Sequence, residues 1–145
     1  MKAMKTLFFL LTAGLLLAGC SEDIYVEGTK MIMRDYDVRS SQWQLWDDCY
    51  CATLDVAEIT QSVLRNGNVQ VSRRYPGDAR NEDAWTPLPT MRVEVTEGSD
   101  GGDFYYTTFI DYEWTVGTVN IFVTTSDLYT EEAPGDMSFR VIITQ

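Results

Sequence analysis

Asn68-Val69-Gln70-Val71-Ser72 alternates strictly between polar and apolar residues. Successive side chains of a β-strand point to opposite faces, so this pattern predicts a strand with one face against a core and one in water. Similar alternation recurs in Met31 to Val38, Met91 to Val95, Phe104 to Tyr112, Val119 to Val123 and Phe139 to Ile143. Short strands at this spacing predict a mainly β protein, an antiparallel β-sandwich of about seven strands.

The apolar positions of these strands are expected to face one common core. They include Ile32, Tyr36 and Val38 in the first strand, Val69 and Val71 in the second, and Met91, Val93 and Val95 in the third. Turn-forming residues separate the strands at Glu97 to Asp103, Val116-Gly117 and Ala133 to Asp136. We therefore expect turns at these positions.

One segment has the periodicity of a helix. Its apolar residues fall at helical spacing, at Val56, Ile59, Val63 and Leu64. Asp55 and Glu58 occupy the positions of a capping box, and Gly67 follows as a residue that can end the helix. The pattern predicts a short helix or helical turn over Val56 to Asn66, which either crosses between the sheets or covers one open end.

Composition bounds the class of protein. The chain has 145 residues, 45% of them hydrophobic, and a formal net charge of −11. This is the size and composition of one globular domain after removal of a leader. Because nucleic-acid binding requires clustered lysine and arginine, we expect no nucleic-acid partner.

Several catalytic chemistries lack their residues. The chain has no histidine, which excludes Ser-His-Asp and Cys-His catalysis and histidine-based metal sites. Lys30 is the only lysine beyond the leader, and no nucleotide-binding glycine pattern occurs. We expect no enzymatic activity and no cofactor. A glycosidase that uses two carboxylates is the third alternative, but the sequence nominates no pair among 22 acidic residues.

Two motifs suggest metal or redox chemistry. Cys49-Tyr50-Cys51 supplies half of a tetrahedral metal site, and a strand through Tyr50 would hold the two thiols too far apart for a disulfide. We expect two partly buried thiols, with a strained or intermolecular bridge as the alternative. Asp100-Gly101-Gly102-Asp103 lacks the acidic spacing of an EF-hand loop. We expect a hairpin turn there, with calcium binding as the alternative and no metal site assigned.

The aromatic residues offer a candidate binding site. Trp43 and Trp46 lie in a polar segment, Ser40 to Asp48, where no alternation places them in a core. Flat aromatic faces beside the carboxylates of Asp47 and Asp48 would suit a sugar ring. The alternative is that the tryptophans cap the open end of the sandwich, because large aromatic side chains usually bury most of their area.

The amino terminus resembles the signal of bacterial lipoproteins. A basic start and a short apolar run lead to Leu17-Ala18-Gly19-Cys20, which resembles a lipobox. The resemblance implies cleavage after residue 19, lipidation of Cys20, a tether over 20–30 and a domain over 31–145. Ser21 after the cysteine implies an outer-membrane location. The domain is expected to face the cell exterior, with the periplasmic face as the alternative.

Most of the mature chain resembles small uncharacterised surface lipoproteins of Bacteroidetes. The likeness lies in Asp55 to Val71, in Trp85-Thr86-Pro87-Leu88-Pro89 and in the strand Phe139 to Ile142. Glu22 and Asp23 also resemble the acidic export tags of such proteins. The resemblance implies a β-rich fold and a bacterial surface setting, and it brings no known activity.

Two functions follow as expectations. The first is a membrane-anchored, non-enzymatic module that binds a glycan or a protein. The second is a structural or assembly subunit of a surface fibre or envelope complex, in which the C-terminal strand Met137 to Gln145 pairs with a neighbour. Exposed tryptophans would favour the glycan, whereas an unpaired apolar edge strand would favour a protein partner.

Overall fold

A computed structural model describes residues 28–98 and 101–145 of the chain. Cys20, the predicted signal at 1–19 and most of the predicted tether lie outside these residues. The described residues form nine strands and one α-helix. Their bounds are β1 Met31–Val38, β2 Gln44–Trp46, β3 Cys49–Asp55, α1 Gln61–Asn66, β4 Asn68–Tyr75, β5 Ala84–Pro87, β6 Thr90–Glu97, β7 Asp103–Thr115, β8 Thr118–Thr125 and β9 Met137–Thr144.

The strands form two antiparallel sheets, of four strands in the order β1-β9-β4-β5 and of five in the order β2-β3-β8-β7-β6. The predicted β-sandwich is confirmed. The alternating runs of the sequence left out three strands: β2 and β5, which are too short to display an alternation, and β3, whose residues Cys49 to Asp55 do not alternate clearly. Lys30 and Gln145 exchange backbone hydrogen bonds of 2.8 and 3.1 Å, which extends the β1–β9 pairing by one residue.

The core lies between the two sheets and takes alternate residues from their central strands. Its fully buried members include Val69, Val71, Val119, Ile121, Phe139, Val141 and Ile143. A valine or isoleucine side chain buried in this way stabilises the fold by about 1.5–3 kcal/mol relative to an exposed one. The alternation therefore located the core correctly in β4, β8 and β9.

The predicted start of the helix was wrong. Helix α1 begins at Gln61, because the Thr60 hydroxyl accepts the hydrogen bond of the Val63 N–H and so caps the helix there. The preceding residues, 56–59, form a turn that bonds to Gly117 of the β7–β8 hairpin through Val56 N–H and Ile59 C=O. The helix connects β3 of one sheet to β4 of the other, so the predicted crossover is confirmed.

Gly67 ends the helix, as predicted. The reason is not the left-handed backbone conformation for which glycine is usually used at the end of a helix. Its backbone is extended, with φ −105°, and its N–H donates to Val63 C=O at 2.8 Å. A Cβ atom on Gly67 would lie 2.6 Å from the carbonyl oxygen of Thr144. The close approach of β9, rather than a positive φ, thus requires glycine at this position.

The orientation predicted for the apolar face of β6 was also wrong. Met91, Val93 and Val95 point outward and are exposed, whereas Arg92 and Glu94 point inward. From Asp103 to Tyr106, β7 pairs with β6 alone among the described residues. The register with β7 sets this orientation: Arg92 lies opposite Thr108, which is buried, so Met91, Val93 and Val95 fall on the outer face of the sheet.

Strand β9 does not fit the predicted role of an assembly strand. It pairs with β1 along one edge and with β4 along the other. Both edges are therefore occupied within the domain, and a neighbouring molecule has no free backbone groups of β9 to pair with.

No helix among the described residues is long and apolar enough to cross a membrane.

Candidate functional site

A cavity of about 590 Å³ opens at the end of the sandwich opposite to α1. Antiparallel pairing brings the start of β3 and β7 together with the ends of β6 and β8 at this end. Its lining residues include Tyr50, Arg73, Glu94, Phe104, Tyr106, Thr108, Asp127, Tyr129, Glu132 and Asp136. Cavities of about 300–1,000 Å³ are typical of sites for small ligands.

Arg73 contributes a cation to this cavity from the inward face of β4. Its Nη1 donates a hydrogen bond of 3.2 Å to the Tyr75 hydroxyl, and its guanidinium carbon lies 4.4 Å from the centre of the Tyr75 ring. Arg92 lies over the same ring at 3.5 Å. The Nε of Arg73 is buried and has no hydrogen-bond partner within the described part of the chain. Arg73 is thus the cation in the lining of the cavity.

Glu94 and Tyr106 form one wall of the cavity. They are directly opposite each other on β6 and β7, and the Tyr106 hydroxyl donates to Glu94 Oε2 at 3.0 Å. Burial, and then the adjacent Glu94 carboxylate, raise the pKa of Tyr106. The Phe104 ring stacks on Tyr106 with centres 6.4 Å apart. The wall therefore combines a carboxylate with two aromatic rings.

The connection between β8 and β9 forms the opposite rim. Three hydrogen bonds attach it to the body of the domain: Ser40 N–H to Asp136 Oδ1 at 2.8 Å, Trp43 Nε1–H to the carbonyl of Gly135 at 3.2 Å, and the Tyr50 hydroxyl to the carbonyl of Thr130 at 2.7 Å. A hydrogen bond from Thr125 lowers the pKa of Asp127 within this connection. The rim is held in place without a ligand.

The charge of the lining is strongly negative. Arg73 faces the carboxylates of Asp48, Glu94, Asp127, Glu132 and Asp136. Carboxylates of this number repel an anionic ligand and favour a neutral polar or cationic one. Among the described residues, no three metal-ligating side chains come together.

The structure separates the two predicted tryptophans. Trp43 is 6% exposed, and its ring packs edge-on against Phe139 with centres 6.3 Å apart. The expectation that Trp43 offers a flat face to a ligand is corrected. Its ring packs in the core against Phe139, and its indole N–H donates to the carbonyl of Gly135 in the cavity rim. The alternative interpretation, a tryptophan that closes the end of the sandwich, describes Trp43.

Trp46 lies on the outer face of the five-stranded sheet. It is 57% exposed, and its ring packs on Phe122 with centres 5.9 Å apart. It lines a shallow groove with Asp47 and Asp48, so three of the four predicted binding residues come together. Asp48 lines both this groove and the end cavity. Trp46 is therefore an aromatic platform beside, and outside, the cavity.

Residue periodicity missed the main components of the cavity. Arg73 shares the inward face of β4 with Val69 and Val71, and a charged residue in a run of core positions was the signal that could have indicated it. Glu94 was missed because its strand was assigned the opposite orientation. Tyr129 lies in a connection whose path the alternation does not predict.

Cys49 and Cys51 are free thiols on one face of β3, as predicted. Cys49 Sγ donates to the carbonyl of Trp46 at 3.2 Å. Burial is the largest cause that raises the pKa of both thiols, and neighbouring negative groups add to it.

Asp103 starts β7 after the predicted hairpin turn, while Asp100 lies outside the described residues.

The two thiols should alkylate slowly at neutral pH. The thiolate is the reactive form, and a raised pKa reduces its fraction at any pH below the ordinary value of about 8.5. We expect iodoacetamide to react with the folded chain several-fold more slowly than with the denatured chain at pH 7.5. The rate should keep rising with pH above 8.5. Mass spectrometry of each cysteine measures this, and a rate at pH 7.5 equal to that of the denatured chain would contradict it.

The chain was compared with known proteins in three ways. No family model, no curated protein and no solved structure matches it. The chemistry of the cavity and of the outer surface is therefore the basis for a function.

Proposed function

We propose that this chain is a lipid-anchored, non-catalytic surface domain that binds a neutral or amino-substituted glycan in the cavity at the open end of its sandwich. The observation that carries this proposal is the lining of the cavity, in which aromatic rings, carboxylates and one arginine surround about 590 Å³. The lipobox at Cys20 supports the anchor and an outer-membrane location.

The lining matches the chemistry of a sugar. A pyranose has an apolar C–H face that packs on an aromatic ring, and hydroxyl groups that donate to carboxylates. Tyr106, Phe104 and Tyr129 supply rings, and Glu94 has a second carboxylate oxygen beyond the one that Tyr106 occupies. The guanidinium of Arg73, which is part of the lining, would donate to a ring or hydroxyl oxygen. These are the few polar groups within an aromatic wall that orient a small ligand.

Charge selects among glycans. With five carboxylates and one arginine in the lining, the cavity favours neutral and amino sugars over sialylated, uronic or sulfated ones. Nothing in the proposal requires bond cleavage, because Glu94 is used as a hydrogen-bond acceptor. Incubation with bound glycan should therefore return the glycan intact.

A glycan array with three variants of the full chain tests the proposal. Glu94→Gln keeps the size of the side chain and removes its charge, and Tyr129→Ala removes an exposed ring of the rim. A hydrogen bond to a charged group contributes about 1.5–3 kcal/mol, so Glu94→Gln should weaken binding by about 10- to 100-fold, and Tyr129→Ala should weaken it through the loss of an aromatic contact. Trp46→Ala is the matched control on the outer groove and should bind as the parent does.

The outcomes distinguish the two surfaces. Loss of binding in Trp46→Ala with retention in Glu94→Gln would place the ligand in the outer groove and contradict the cavity proposal. Preference for sulfated or sialylated glycans would contradict the charge argument. If the parent binds none of the neutral, amino or acidic glycans, the proposal that the ligand is a glycan is contradicted.

A further inference from the structure

The outer face of β6 carries an exposed apolar stripe. Met91, Val93 and Val95 are 69%, 71% and 56% exposed. Phe109 and Tyr105 of β7 lie directly opposite Met91 and Val95 and are also exposed. Contiguous apolar surface of this kind marks an interaction site more often than isolated exposed residues do.

The same strand is an edge of the five-stranded sheet. β6 pairs with β7 through eight consecutive residue pairs, and no strand of the described residues pairs with its other side. An edge strand presents backbone N–H and C=O groups that can form hydrogen bonds with a further strand. An eight-residue edge strand with three successive apolar side chains on its outward face is long enough to pair with a further strand.

The other three edges of the sandwich are less suited to pairing. β2 and β5 are three and four residues long. β1 has eight residues but carries Asp35 and Asp37 on its outward face, and exposed charges discourage strand addition. β6 is the one long edge in the described part of the chain with three successive apolar residues on its outward face, and the one charge on that face, Glu97, is the last residue of the strand.

The sequence of β6 is complementary to itself when read in the antiparallel direction. The seven residues that pair are Thr90-Met91-Arg92-Val93-Glu94-Val95-Thr96, and Glu97 follows as the last residue of the strand. With Val93 opposite Val93 of a second copy, Arg92 lies opposite Glu94 and Met91 opposite Val95. Inward-pointing charges usually prevent edge pairing, but this register brings opposite charges together twice. Opposite-charge and apolar cross-strand pairs each stabilise a sheet.

We propose that β6 is a homodimer interface, in which two copies of this chain pair their β6 strands antiparallel about a two-fold axis at Val93. The arrangement joins two five-stranded sheets into one continuous sheet. It is isologous and therefore closes at two copies, instead of growing into a fibre. The proposal does not rest on glycan binding, although Glu94 both lines the cavity and pairs with Arg92 in this register.

Disulfide cross-linking of the full chain tests the proposed register. The reference chain in this test, the parent, carries Cys49→Ser and Cys51→Ser so that neither native thiol can cross-link. The test chain carries Val93→Cys in addition. Directly opposite residues in an antiparallel pair have Cα atoms about 4.5 or 5.5 Å apart, and both distances suit a disulfide. We expect oxidation of isolated membranes to convert most of the Val93→Cys chain to a covalent dimer, well above the level in the parent.

Val95→Cys is the matched control on the same face of the same strand. In the proposed register the two copies of residue 95 are offset by four residues, about 13 Å along the strand, and should not cross-link. Co-expression of Met91→Cys and Val95→Cys chains should restore cross-linking between the two. Equal cross-linking of Val93→Cys and Val95→Cys, or none by Val93→Cys, would overturn the proposal.

Exchanging the charges of Arg92 and Glu94 distinguishes pairing between two copies of β6 from packing within one copy. In the Val93→Cys chain, Arg92→Glu places glutamate opposite Glu94 of the second copy and should reduce cross-linking several-fold. Adding Glu94→Arg reverses both charges and should restore cross-linking. The contact of Arg92 with Tyr75 is absent from both variants, because both carry Arg92→Glu. Failure of the double exchange to restore cross-linking would overturn the proposed register.

Discussion

Replacement of Trp43 with alanine should lower the free energy of unfolding by about 3–5 kcal/mol. The ring is buried against Phe139, and its N–H bonds to the carbonyl of Gly135 in the cavity rim. Removal of the side chain leaves a void in the core and an unsatisfied carbonyl. Denaturant titration followed by circular dichroism measures the change.

Trp46→Ala is the control for that experiment. Trp46 is exposed and contacts Phe122 on the outer face, so its loss should cost less than about 1 kcal/mol. Equal costs for the two variants would contradict the burial described for Trp43. Because Trp43→Ala alters the fold itself, binding experiments on this chain are interpretable with Trp46→Ala and not with the two replacements combined.

Phe139→Ala should be equally destabilising, by about 3–5 kcal/mol. Phe139 is fully buried in β9, the strand that pairs with both β1 and β4. A void at this position disturbs the centre of the four-stranded sheet and its packing on Trp43. The midpoint of denaturant unfolding should fall with little change in its slope.

Phe109→Ala offers a matched change on an exposed ring of β7. Phe109 is 43% exposed on the outer face, and its removal should cost about 1 kcal/mol or less. A larger loss for Phe109 than for Phe139 would mean that the inner and outer faces have been reversed. Because Trp43 and Phe139 touch, the costs of Trp43→Ala and Phe139→Ala should not add in the double variant.

Glu94 connects the two proposals made for this chain. Its side chain accepts a hydrogen bond from Tyr106 in the cavity wall, and its strand carries the proposed dimer interface. Glu94→Gln tests the cavity, while Val93→Cys tests the edge from the opposite face of β6. The two experiments therefore fail or succeed separately.

Local periodicity determined the fold class and most of the core. Val69, Val71, Val119 and Ile121 could be assigned to one covered face because the two-residue period of a strand is a property of the backbone. The absence of histidine also excluded whole classes of catalysis before any coordinates were known. Both conclusions depend on residue type and spacing alone.

Tertiary structure decided which face of each strand is covered. The alternation in β6 predicts one apolar face, yet Val93 is exposed because the register with β7 places that face on the outside of the sheet. Trp43 and Trp46 lie three residues apart in one polar segment, and only the contact with Phe139 makes one of them core. Arg73 became a cavity residue through the convergence of distant strands. Covering a face requires a partner element, and its position depends on contacts between residues far apart in the chain.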